Sequence, residues 1–84
     1  MFLAAQISLY PLRQAHLSPA IDSATSILRE HGLEVSAGPM SSLVSGDDEA
    51  LLAAIKDIFR KSSEQGDIVM IVTLSNACPV HQRS

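Results

Sequence analysis

The chain has 84 residues, a formal net charge of −3 and an apolar fraction of 46%. That length allows a single domain spanning 1–84, burying only about 60–65% of the surface its unfolded chain exposes, so the stability margin is thin and pairing with a second copy would help. The acidic balance without a basic stripe excludes a typical nucleic-acid partner, because phosphate contacts dominate that affinity. No apolar run reaches about 18 residues, so no membrane insertion is expected. The N-terminal stretch lacks the basic start and cleavage site of a signal peptide, and Cys78 is the only cysteine. A cytoplasmic protein is the expectation.

Phe2 to Tyr10 reads as a first strand, with Leu3, Ala5, Ile7 and Leu9 on its apolar face and Pro11 ending it. Leu12 to Leu17 is a loop. Ser18-Pro19 opens a helix, serine as cap and proline at the first helical position. Its stripe is Ile21, Ala24, Ile27, Leu28 and His31, and Gly32 stops it. Leu33 to Ala37 is a short strand, Gly38-Pro39 a turn, and Met40 to Ser45 a third strand in a hairpin with the second. Gly46-Asp47-Asp48-Glu49 announces a second helix, its carboxylates at the positive end of the dipole. Leu51, Leu52, Ile55, Ile58 and Phe59 supply its buried stripe, with Lys56, Arg60 and Lys61 toward its basic end, and Gly66 ends it. Asp67 to Ser75 is the last strand, and 76–84 a tail.

The order β-α-β-β-α-β predicts an α+β ferredoxin-like sandwich: a four-stranded antiparallel sheet with two helices on one face. The first and last strands are then antiparallel neighbours. Their aliphatics, Leu3-Ala5-Ile7-Leu9 and Ile68-Met70-Val72-Leu74, face the helices. The other face carries Ala4, Gln6, Ser8, Tyr10, Val69, Ile71 and Thr73, too apolar for a plain wet surface and too polar for a plain core. A second sheet packing there would resolve the mismatch, so a homodimer or larger homo-oligomer is expected.

Three stretches carry a family resemblance: Gln6-Ile-Ser-Leu-Tyr-Pro-Leu12; Gly38-Pro-Met-Ser-Ser42 followed by Val44-Ser-Gly-Asp47; and Thr73-Leu-Ser-Asn-Ala-Cys-Pro79. Together with the glycine-bounded helices between them, they resemble the Ykof-like family of thiamine and hydroxymethylpyrimidine-binding proteins over nearly the whole chain. The last stretch is the most specific. The resemblance implies a ferredoxin-like fold, binding without catalysis, and a role in uptake or salvage of thiamine or its pyrimidine precursor. No cofactor beyond that small-molecule ligand is implied. Better-known members carry two such units in tandem, whereas this chain has one, which also favours assembly from separate chains.

An aminopyrimidine offers an exocyclic amine donor and ring-nitrogen acceptors, and amides and hydroxyls match that pattern. Gln6 and Asn76 hold donor and acceptor together; Ser8, Ser41, Ser42, Thr73 and Ser75 could complete the set, and Tyr10 offers a stacking face. For the thiazolium cation of thiamine, Tyr10 and a carboxylate, Asp47 or Asp48, are the candidates. Each has a plainer reading. Gln6, Ser8 and Thr73 suit a solvated or interface sheet face; Ser75 and Asn76 suit a turn; Ser41 and Ser42 suit a hairpin strand; Asp47, Asp48 and Glu49 suit a helix cap. Met40 and Phe59 read as core, and His16 as an exposed loop residue.

Other chemistries find less support. Cys78 and His81 make one Cys-x-x-His pair, short of the four ligands a zinc site needs. Arg13 follows the first strand, but its loop lacks the glycines of a phosphate cradle, and no nucleophile is paired with an oriented base. An enzyme is therefore not expected. The rival to a small-molecule binder is a structural or regulatory protein-interaction domain that uses the same mixed sheet face.

Overall fold

The structure, a computed structural model, describes residues 1–13, 18–38 and 41–77. His16, Pro39, Met40, Cys78, Pro79, His81 and the side chain of Ser18, all given readings above, lie outside the described residues. The elements are β1 (Phe2–Pro11), α1 (Ser18–Glu30), β2 (Glu34–Ala37), β3 (Ser42–Asp47), α2 (Asp48–Ser63) and β4 (Ile68–Ser75). The four strands form one antiparallel sheet in the order β2-β3-β1-β4, the ferredoxin-like arrangement.

Strand register fixes the two faces. Ala5 pairs with Leu74 and Val44, Ile7 with Val72 and Ser42, and Leu9 with Met70. These positions share the helix-covered side, where Ala5, Ile7, Leu28, Leu33, Val44, Leu51, Ala54 and Ile58 form the buried core. Packing apolar strand positions against one stripe of each helix is what makes the sandwich stable.

Local chemistry explains the boundaries. Gly32 at φ 79° and Gly66 at φ 144° take the left-handed backbone that ends each helix region. Asp47 caps α2 by accepting a hydrogen bond from the Glu49 amide at 3.2 Å. His31, just past α1, meets Asp57 of α2 across 2.9 Å and ties the two helices together.

Three expectations need correction. The third strand begins at Ser42 and continues through Gly46 to Asp47, two residues beyond the predicted end, because Gly46 continues the ladder opposite Leu3. A side chain at Gly46 would strike Leu33 Cδ2, so the glycine marks a close approach inside the sandwich, not the start of a helix. In α2, Leu52 and Phe59 are 49% and 46% exposed, whereas Ala54 and Ser62 are buried in their place. The small residues let α2 lie close to the sheet and turn the larger ones off the core. In α1, Ile21 is likewise exposed, and Ala24, Ile27 and Leu28 carry the contact.

No helix among the described residues is long and apolar enough to cross a membrane.

Candidate functional site

The uncovered sheet face is built around β1. Gln6 stands at its middle, with Leu43 of β3 on one side and Thr73 of β4 on the other. The next positions along this face pair Ser8 with Ile71, Tyr10 with Val69, and Ala4 with Ser45 and Ser75. Leu43, Ile71, Phe2, Val69 and Tyr10 are 39–58% exposed there. A polar centre is thus ringed by apolar side chains that water contacts directly.

Gln6 is also held from the side. Its Nε2 donates to Ser41 Oγ at 3.2 Å, across 35 residues of sequence. That bond uses one amide N–H and leaves the carbonyl oxygen and the second N–H to face outward. The Thr73 hydroxyl lies directly across the strand pair, on the same face. The structure therefore brings Gln6, Ser8, Ser41, Thr73 and Ser75 onto one surface, with Tyr10 about 13 Å from Gln6 along β1.

Other candidates go elsewhere. Ser42 pairs with Ile7 and Ala37 and so lies on the helix side. It lines a groove between the sheet and α1 with Ile7, Leu9, Ala24, Gly38 and Ser41. Ser41 precedes β3 and sits at the margin between the two sides, its hydroxyl meeting Gln6 while the residue also lines the groove. Ser75 accepts a hydrogen bond from the Ala77 amide at 3.0 Å, the turn role available to it, and Asn76 is exposed in the bend beyond β4. Arg13, in left-handed backbone at φ 56°, is held by Asp67 at 2.8 Å.

Asp48 is drawn to the far end of the sheet. Its Oδ1 accepts from the Met1 amine at 3.3 Å, and the Met1 carbonyl accepts from the Asp48 amide at 2.8 Å. The hydrogen bond and charge of Asp48, helped by Asp47, raise the pKa of the Met1 amine above its ordinary 8.0. A raised amine pKa stabilises the fold fully below pH 8.0, and this contribution is lost as pH rises through the higher folded value. Thermal melts from neutral pH to well above 8.0 are expected to show the wild type losing its advantage over Asp48→Asn in the alkaline range. A constant difference would contradict the pairing.

Sequence reasoning overlooked Leu43, Ser45, Ser36 and Glu34 on the open face. Ser36 pairs with Leu43, and Glu34 with Ser45. The alternation of Val35 and Val44 with these residues was the available signal, obscured by a third strand drawn two residues early.

A family model described as the YKOF-related Family matches residues 3–81. The chain belongs to the YKOF-related family. Among solved structures, this YKOF-related chain is similar to a hypothetical protein of Methanocaldococcus jannascii, at 21% identity and a TM-score of 0.82, covering 89% of this chain and 79% of that one. It is also similar to a Thermotoga maritima protein ascribed to thiamine biosynthesis or salvage, at 19% identity, a TM-score of 0.77, and coverage of 89% and 83%. A domain of unknown function from Bacillus cereus gives 14%, 0.76, and coverage of 89% and 75%. These likenesses establish the fold that the YKOF-related chain shares with them. No curated protein matches it.

Proposed function

We propose that this protein binds thiamine or its hydroxymethylpyrimidine precursor without catalysing a reaction, in uptake or salvage of these compounds. The ligand sits on the open sheet face, and a second copy of the chain closes that face over it. The observation that carries this reading is the Gln6 amide, steadied by Ser41 and flanked by Thr73, at the centre of an otherwise apolar surface. The free amide oxygen accepts from the exocyclic amine while the remaining N–H donates to a ring nitrogen. The Thr73 hydroxyl supplies a third contact, and Leu43 and Ile71 cover the ring. Family membership and the salvage role ascribed to the Thermotoga maritima protein support the choice of ligand.

Titration calorimetry with both compounds tests the proposal. Gln6→Ala removes two neutral hydrogen bonds, each contributing about 0.5–1.5 kcal/mol, so the Kd should rise roughly 5- to 150-fold. Gln6 is exposed, so stability should change little. No heat and no thermal shift with either compound at millimolar ligand would sink the proposal. The groove behind Ser42 gives a second location for the ligand. Loss of binding in Ser42→Val with Gln6→Ala unaffected would move the pocket there. A protein-interaction domain is the reading left if assembly responds to Gln6→Ala and neither compound binds.

A further inference from the structure

Charge is unevenly placed on the open face. Val35 and Val44 pack toward the core, so Glu34, Ser36, Leu43 and Ser45 lie on the uncovered side of β2 and β3. Glu34 is exposed and forms no ion pair among the described residues. The described cations stand elsewhere. Arg29 belongs to α1, and Lys56, Arg60 and Lys61 to α2, on the other side of the sheet. Arg13 is tied to Asp67, and the Met1 amine to Asp48. Asp47, at the end of β3, is occupied in capping α2. Among the described residues the open face therefore offers one uncommitted carboxylate and no uncommitted cation.

Strand register sets how far that carboxylate stands from Gln6. Ser45 pairs with Glu34 on one side and with Ala4 on the other, while Leu43 pairs with Gln6. Glu34 is thus two strands across and two residues along from Gln6, about 12 Å between Cα atoms by strand geometry. Leu43 and Ser45 lie between them. Thiamine suits such a diagonal. Its aminopyrimidine is joined through one methylene to the thiazolium cation, and a hydroxyethyl arm leaves the thiazolium on the far side. With the pyrimidine at Gln6 and the ring pair laid toward β2, the cation rests over Ser45, within reach of the Glu34 side chain. The arm then lies beside the same carboxylate. Thiamine phosphates carry their phosphate on that arm, and hydroxymethylpyrimidine has neither cation nor arm.

We propose that Glu34 sets the charge specificity of the site: it favours the cation of unphosphorylated thiamine over the neutral pyrimidine and over the phosphate esters. This rests on the open face being the ligand site, and adds to that reading a residue and an order of preference. A carboxylate beside a fixed cation attracts it, and the same carboxylate repels a phosphate of nearly two negative charges. The phosphate also meets no arginine or lysine among the described residues of this face to compensate. Both groups stay in contact with water, so the preference amounts to roughly 5- to 30-fold in affinity. The plainer role of Glu34 is to keep the short edge strand β2 from pairing with other chains. That role is indifferent to the charge of a ligand, and a series of ligands separates the two.

Titration calorimetry of the full chain with thiamine, hydroxymethylpyrimidine and thiamine monophosphate tests the assignment. The wild type should bind thiamine roughly 5- to 30-fold more tightly than either of the others, and raising the salt should shrink that preference. Glu34→Gln should raise the thiamine Kd by the same factor, leave the hydroxymethylpyrimidine Kd unchanged and tighten the monophosphate. Glu34→Lys should reverse the order of thiamine and its monophosphate, and Glu34→Asp should keep the wild-type order. Glu34 is exposed on an edge strand, so thermal melts of these variants should match the wild type. Gln6→Ala, by contrast, should weaken all three compounds alike. Equal affinity of the wild type for thiamine and its monophosphate would overturn the proposal, as would three unchanged affinities in Glu34→Gln. Either result leaves the ligand reading standing if binding still depends on Gln6. Binding of none of the three compounds would remove that reading and this one with it.

Discussion

Ile58→Ala is expected to cost about 2–5 kcal/mol of stability, the range for an aliphatic side chain truncated inside a packed core. Ile58 is fully buried on α2, in the cluster formed with Leu51, Leu28 and the inward residues of β1 and β3. Among the described residues the sandwich has one core and two helices to cover it, so closing the cavity would lift α2 from the sheet. At roughly 0.05–0.15 kcal/mol per residue, a domain this size has a total stability comparable to that loss. The melting temperature should fall by roughly 8–40 °C. Urea unfolding at fixed protein concentration checks the figure, since assembly adds a concentration-dependent term. Ile71→Ala, on the open face, should cost far less in the isolated subunit. A loss below about 1 kcal/mol for Ile58→Ala would mean that α2 does not dock as described.

Gly46→Val is the second large effect. The backbone of Gly46 lies in the ladder opposite Leu3, and any Cβ there is directed at the end of the buried Leu33 side chain. Filling occupied space forces side chains off their rotamers or strands apart, at about 1–3 kcal/mol. The cause can be separated from a simple loss of glycine. Leu33→Ala alone leaves a cavity and should cost about 2–5 kcal/mol. In the double variant the valine enters the space vacated by leucine, so the combined loss should fall clearly below the sum of the two. Strict additivity in chemical denaturation would show that the two positions do not meet.

Much of the frame was legible in the chain. Alternation along β1 and β4 is unbroken, so the separation of Gln6, Ser8 and Thr73 from Ile7, Leu9 and Val72 follows from strand geometry alone. Gly32 and Gly66 mark helix ends because left-handed backbone favours them, and Asp47 caps α2 by a bond two residues long. The difficulty lay where a local signal had two meanings. Gly46 beside two aspartates reads as a helix entry, and only the approach of Leu33 shows it to be strand. Leu52 and Phe59 fit a helical stripe as well as Ala54 and Ser62 do, and α2's close approach to the sheet decides between them.

The candidate site divides the same way. Residue chemistry singled out Gln6 as an amide suited to an aminopyrimidine, and Asp48 as a carboxylate suited to a cation. By itself the sequence determined the elements, the sheet faces of the first and last strands, and the family. The elements and faces rest on periodicity and capping, which act within a few residues; the family rests on the resemblance of three stretches and on the family model over residues 3–81. Only the tertiary structure joined Gln6 to Ser41 across 35 positions, sent Ser42 behind the sheet, and drew Asp48 to the Met1 amine. Those outcomes depend on strand register and on where the ends of the strands fall. Both are set by the volumes of side chains that are distant in sequence and meet only in the folded core.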